Sequence, residues 1–256
     1  MFTIEFEKIP LAAFEEVPPE LRTEAFFRAN ELTNAYVGAR ARDVAVSMGS
    51  RPRVGARSAA AWEWIQKRIA KNPAALGPSG DLRRCILLEN PALGAALDLI
   101  DAAAEGYPAF LRGEREGSAI LFDLASPALW DRYFSNENPI YAPGNVLAAH
   151  AAATAVAVGS HPPARSLRVL EVGAGCGSAA EALIARLEPC IASYLLTDIS
   201  PGFLRKARER LYAAAPVAGI DLGFQCMDLN RPPEAWPTGT GRFDLVHAVN
   251  VLHAVH

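Results

Sequence analysis

The chain has four cysteines, Cys85, Cys176, Cys190 and Cys226, and no two of them are spaced C-x-x-C. That absence removes the case for a zinc site or a disulfide framework, so no metal is expected and a reducing, cytoplasmic setting fits. Long apolar runs are missing too. The first ten residues carry Glu5, Glu7 and Lys8, and the most apolar helical stretch, near 146–158, is interrupted by His150 and too short to span a bilayer. No targeting or membrane segment is expected. Charge of one sign is not in excess either: a formal net charge of −3 over 256 residues leaves no basic surface for nucleic acid, and the short run 51–57 reads as a solvated loop. No internal repeat or low-complexity tract is found. With 51% hydrophobic residues the composition is that of an ordinary globular protein, long enough for a core with a smaller appended domain.

What the chain does contain is one informative turn. Val169-Leu170-Glu171-Val172-Gly173-Ala174-Gly175-Cys176-Gly177-Ser178 reads as an apolar strand, a glycine-rich turn and the start of an alanine-rich helix that stops at Pro189. Gly173, Gly175 and Gly177 alternate, and only glycine lets a backbone turn this tightly while a ligand packs on it. The pattern is G-x-G-x-G rather than G-x-G-x-x-G, because Ser178 stands where a dinucleotide fingerprint has a third glycine or alanine. Glu171 at the strand tip would repel a pyrophosphate but suits a ligand carrying an ammonium and a sulfonium. S-adenosylmethionine (SAM) is such a ligand, and E-V-G-A-G-C-G resembles motif I of the class I SAM-dependent methyltransferases.

Ahead of this turn the chain reads as helices separated by proline and glycine. Residues 24–46 form a long amphipathic candidate with Ala25, Ala29, Leu32 and Tyr36 on one face, and 59–71 lines up Ala61, Ile65 and Ile69 beside Trp62. Asn90-Pro91 starts a third helix whose stripe is Leu93, Leu97, Ile100 and Ala104, with Gly106 as its end. Ser126-Pro127 opens a short helix whose aromatics, Trp130, Tyr133 and Phe134, read as core rather than as a substrate box. An alanine-rich helix covers 145–158. The alternating stretch 2–7 is too short to argue for a sheet.

From Leu167 the period changes to strand–helix alternation, which implies parallel βαβ units. The strands are expected at 168–172, 193–197, 221–226 and 243–249, with all tips on one edge of the sheet, where ligands bind in open α/β folds. Asp198 ends the second strand, where an acid accepts hydrogen bonds from both ribose hydroxyls, or else caps the helix that Ser200-Pro201 begins. At the third tip Met227-Asp228-Leu229 sets an acid between two apolar residues, the chemistry that holds an adenine amino group while the ring packs on side chains. The boundary falls near 140. The expected architecture is α/β, a Rossmann-like core over 141–256 behind a helical lid or substrate domain over 1–140.

The fourth strand runs into Asn250-Val251-Leu252-His253, and there the resemblance narrows. N-V-L-H in this place is similar to the methyltransferase domains of modular polyketide synthases and their free-standing relatives, as are Leu111-Arg112-Gly113-Glu114, Ile120-Leu121-Phe122 and Asn138-Pro139-Ile140-Tyr141 upstream. The likeness covers roughly residues 90–256. It implies SAM as cofactor, bound by Glu171, Gly173, Gly175, Gly177, Asp198, Met227, Asp228, Leu229 and Asn250, and a base at His253 supported by Tyr141. A histidine, with an ordinary pKa near ~6.5, suits that task, although His253 could instead open the helix after the strand and Tyr141 could simply pack. The implied reaction is methylation of a polyketide-type intermediate, at the carbon α to the carbonyl of a free or carrier-bound acyl thioester. O-methylation, or a SAM-binding scaffold without turnover, stays open. The class I sheet is ordered 3-2-1-4-5-7-6, and no sequence remains here for strands 5 to 7. The chain is therefore expected to be a fragment of a longer methyltransferase, inactive alone, with its fourth strand as an apolar edge, unless a partner subunit supplies the missing strands; the resemblance also allows it to be part of a larger synthase chain.

Overall fold

The computed structural model describes residues 18, 21, 23–50, 52–71, 78–117, 119–120, 127–159, 166–214, 217–232 and 242–255. Expectations placed on 2–7, 121–126, 161–163 and 233–241 lie outside these residues. Two compact units are present: residues 23–133 with 137–140, and residues 134–136 with 141–256.

The first unit is helical. Its α1, Glu24–Met48, starts at Thr23, whose hydroxyl accepts the Phe26 N–H at 3.2 Å, and ends at Gly49. Ala29, Leu32 and Tyr36 face inward as their spacing predicts, while Ala25 is exposed. They pack with Ile86 of α3, Ser79–Glu89, and with Leu93 and Leu97 at the start of α4, Gly94–Leu111. A second cluster joins Ala41 and Val44 of α1 to Ile65 of α2, Ala59–Lys71, and to Leu111.

Two helices depart from the sequence reading. Asn90 makes no side-chain cap; a 3₁₀ turn at Pro91–Leu93 leads into α4 instead, and α4 continues past Gly106 and through Pro108. Burial of Leu111 in the second cluster outweighs the hydrogen bond that Pro108 cannot donate. The helix α3 was not expected after Gly77-Pro78. Its Arg83 pairs with Asp98 and with Asp101 at 3.0 Å, and Arg132 of α5, Pro127–Tyr133, reaches Asp98 at 2.9 Å. Tyr36 also donates to Asp101, at 2.6 Å.

The second unit is α/β. After α6, Ala142–Gly159, come β1 (Leu167–Val172), α7 (Ser178–Leu187), β2 (Ile191–Asp198), α8 (Pro201–Ala214), β3 (Asp221–Cys226) and β4 (Leu245–His247). All pairings are parallel, in the order β3-β2-β1-β4. Val169, Tyr194 and Leu196 face a core shared with Ala149 of α6, Leu183 and Ile184 of α7 and Leu204, Ala207 and Leu211 of α8. On the other face Leu170 and Val172 pack with Met227. Successive strand residues point to opposite faces, which is why Glu171 shares the Val169 side. The fourth strand is shorter than its apolar run suggests: only Leu245–His247 pair, with Val169–Glu171, and no described residue pairs along the other edge, where Val246 is 62% exposed.

Candidate active site

The turn after β1 uses three left-handed glycines, with φ of 67° at Gly173, 52° at Gly175 and 81° at Gly177. Their surroundings differ. A Cβ on Gly173 would stand 2.2 Å from Cγ2 of Val251, and one on Gly177 would stand 3.0 Å from Cα and Cβ of Ala207 in α8. On Gly175 it would meet no protein atom within 4 Å. Gly173 and Gly177 thus let neighbouring segments close in, while Gly175 leaves an open cradle beside its bare backbone.

Asp198, 8% exposed at the tip of β2, grips that cradle. Its Oδ2 accepts the Gly175 N–H at 2.9 Å and its Oδ1 accepts the Ser200 N–H at 2.8 Å. The carboxylate therefore shapes the start of α8, where Ser200 Oγ receives the Phe203 N–H at 3.4 Å, and still keeps a further lone pair on each oxygen for a hydroxyl donor. The tips are tied through the backbone as well: Ala174 N–H donates to Thr197 O at 2.8 Å and Met227 N–H to Asp198 O at 3.0 Å.

At the third tip Met227 is buried and Leu229 partly buried, both against Leu170 and Val172. Asp228 stands between them, its Oδ1 accepting the Asn230 N–H at 3.0 Å. Beyond β4, Asn250 takes φ of 56°, a conformation asparagine tolerates better than most residues, and Val251 comes to lie on Gly173. His253 follows in a single 3₁₀ turn, Leu252–Ala254, with its side chain exposed. Tyr141, just ahead of α6, packs its ring edge-on against Phe134 at 5.1 Å, and Phe134 meets Phe203 of α8 at 6.1 Å.

Glu171 is 1% exposed and is held by the sheet itself. Its Oε2 accepts the Tyr194 O–H at 2.5 Å and lies 3.9 Å from Nδ1 of His247, which is also buried. Burial, then the charge of Glu171 and the hydrogen bond to it, hold the Tyr194 phenol well above its ordinary pKa near 10.0, so it remains a donor. Sequence reasoning assigned His247 no role and did not single out Tyr194. It also passed over Asn136 and Asn145. Asn136 Nδ2 donates to Ser178 O at 2.8 Å and Glu181 Oε2 at 2.9 Å, and Asn145 Nδ2 donates to Asn136 Oδ1 at 2.8 Å and Ser178 Oγ at 3.1 Å. The available signal was a lone amide in the first turn of an otherwise apolar helix. Among the described residues no cluster of His, Cys, Asp or Glu is arranged to hold a metal ion.

A parallel sheet ordered β3-β2-β1-β4, a glycine cradle after β1 and acids at the next two tips define a Rossmann-like core of the class I methyltransferase kind. Residues 170–256 match the methyltransferase domain family, and the chain resembles the methyltransferase domains of polyketide synthases. The polyketide synthase ThaQ of Burkholderia thailandensis is 33% identical over 159 residues, 61% of this chain and 7% of ThaQ. ThaG of the same organism is 31% identical over 222 residues, 81% of this chain and 4% of ThaG. The chain thus spans less than a tenth of the length of these curated relatives. The CurJ carbon methyltransferase has the same fold, with a TM-score of 0.63 and 21% identity over 95% of this chain and 69% of that one.

Proposed function

We propose that the chain is a SAM-dependent C-methyltransferase of the polyketide synthase type, acting at the carbon α to the carbonyl of a β-ketoacyl thioester, free or borne on an acyl carrier protein. In this reading residues 141–256 are the cofactor core, residues 1–140 are a helical lid or substrate domain, and the chain works as part of a larger synthase. The observation that carries it is the convergence of four strand ends, with Asp198 on Gly175 and Val251 on Gly173 drawing the glycine cradle, the tip acids and the Asn250–His253 segment to one sheet edge.

The residues present fit this cofactor. Asp198 has lone pairs for the ribose hydroxyls, Asp228 for the adenine amino group, and Met227 and Leu229 offer an apolar surface for the ring; Gly175 leaves room for the methionine part on a turn that Gly173 and Gly177 let close against Val251 and Ala207, with Glu171 ahead of the turn in β1 and Asn250 after β4. When bound, SAM supplies a methyl group on a positive sulfur that departs as a neutral thioether. His253 would remove the α proton from the acceptor and hold it on its imidazole until solvent takes it, which leaves the enolate carbon as the nucleophile for the methyl group. Tyr141 orients the substrate carbonyl. Intact-mass analysis of carrier-bound and free β-ketoacyl thioesters, incubated with SAM and the protein containing this chain, should show a gain of one methylene. Fragmentation that places the methyl on oxygen, or no gain with any of these acceptors, would remove the C-methylation assignment.

A further inference from the structure

Residues 134–136 belong to the core by their contacts alone: the chain on either side of them, 23–133 and 137–140, belongs to the helical unit, and these three group with 141–256. Asn136 makes the first of those contacts. Its Nδ2 donates to the Ser178 carbonyl at 2.8 Å and to Glu181 Oε2 at 2.9 Å, and its Oδ1 accepts from Asn145 Nδ2 at 2.8 Å. An amide can give two protons and accept a third at one place; an aspartate there would have no proton to give and would face the Glu181 carboxylate. Asn145 Nδ2 also reaches Ser178 Oγ at 3.1 Å, so both oxygens of Ser178 are held.

Ser178 is the first residue of α7 and directly follows Gly177, so holding it fixes the end of the turn whose middle Asp198 holds through the Gly175 N–H at 2.9 Å. Gly177 has no side chain with which to cap α7, and the restraint comes from outside the turn. The other end of the same short segment serves a second helix. The Phe134 carbonyl accepts from Nη1 of Arg210 in α8 at 2.7 Å, and the Phe134 ring stands edge-on to Phe203 in the first turn of α8 at 6.1 Å and to Tyr141 at 5.1 Å. The helices that leave the β1 and β2 tips are α7 and α8, and residues 134–136 are bonded to both. We propose that this segment is a strap that sets the geometry of methyl transfer. Asn136 is a positioning residue for the cofactor, acting through Ser178 on the glycine turn, and Phe134 is a positioning residue for the acceptor, acting through Tyr141. The proposal rests on the SAM reading above and on the role given there to Tyr141.

The test runs on the protein that contains this chain. S-adenosylhomocysteine, the demethylated product, is titrated calorimetrically, and methyl transfer to a β-ketoacyl thioester is followed by mass. Asn136→Ala should weaken S-adenosylhomocysteine binding roughly 10-fold, the scale of a lost hydrogen bond to a charged group, and raise the KM for SAM while the KM for the acceptor stays unchanged. Phe134→Leu keeps the main-chain bond to Arg210 and removes the ring. It should lower kcat/KM for the acceptor by about 10- to 100-fold, the scale of a misplaced contact, and leave S-adenosylhomocysteine affinity within about twofold of the wild type. A strap that is only structural would lower the unfolding temperature of both variants without this split, so equal losses in both measurements, or lost stability with neither constant changed, overturn the proposal. If either variant does not fold, Glu181→Ala, which removes one acceptor of the Asn136 amide, and Phe203→Leu, which removes the ring on the other side of Phe134, take their places. Each should move the same constant in the same direction, and an unaltered constant overturns the proposal. A wild type that binds no S-adenosylhomocysteine overturns the cofactor reading itself, which is seen before any variant is made.

Discussion

The carboxylate of Asp198 holds the backbone N–H of Gly175 at 2.9 Å, so the tip of the second strand fixes the conformation of the turn that follows the first. The other oxygen of the same side chain holds the Ser200 N–H at the start of α8. A residue that resembles a ribose ligand is thus also part of the frame. Asp198→Ala should weaken SAM binding severely and, by leaving two backbone donors without their acceptor, lower stability by about 1–3 kcal/mol. Calorimetry and urea unfolding measure the two effects, and lost affinity with unchanged stability would show that the frame role is minor.

The glycines of the turn should separate by mechanism. Gly173→Ala drives a Cβ into Val251 at 2.2 Å, so the Asn250–His253 segment must move and the fold should lose stability. Gly175→Val meets no protein atom at its Cβ, and its cost to the fold should be the backbone strain of φ at 52°, about 1–2 kcal/mol, while cofactor binding is abolished. Thermal unfolding without ligand, set beside titration with S-adenosylhomocysteine, distinguishes the two.

Alkaline stability should depend on buried phenols. The Tyr194 phenol is held well above its ordinary value near 10.0, chiefly by burial and then by Glu171. Tyr36 is likewise raised, by burial and its bond to Asp101. Below pH 10 both the folded and unfolded chains keep these protons; above it the unfolded chain loses them first, and stability falls with rising pH. Tyr194→Phe should flatten part of that fall in unfolding curves taken between pH 8 and pH 11, and at neutral pH should cost about 1–3 kcal/mol because Glu171 loses its donor. An unchanged alkaline slope would exclude Tyr194 as a source of it.

If His253 is the base, His253→Ala in an active preparation should reduce turnover by a factor on the order of 10²–10⁴ and leave SAM affinity nearly unchanged. Turnover equal to that of the wild type would take His253 out of the mechanism. Tyr141→Phe tests the weaker role: a negligible change would mean that its ring against Phe134 is all it contributes.

Local chemistry determined a good deal by itself. Alternating glycines after an apolar strand, and the strand–helix alternation that follows, are signals carried by adjacent residues, so the parallel core follows from the text of the chain, while its strand order came with the family resemblance; β3 was read with the same ends that it has, Asp221–Cys226. The long helix α1 and the inward face of α2 were legible for the same reason, since a 3.6-residue period is a local pattern. Only the tertiary structure decided what depends on distant partners. The helix α3 exists because Arg83 finds Asp98 and Asp101 and Ile86 enters the core, and α4 runs through Pro108 because Leu111 is buried against α1 and α2. The double duty of Asp198, the seating of Glu171 between Tyr194 and His247, and the buried contacts of Asn145 with Asn136 and Ser178 were decided there too. A side chain's type says what hydrogen bonds it can make, but which of them are already satisfied is settled by neighbours that the fold brings from elsewhere in the chain.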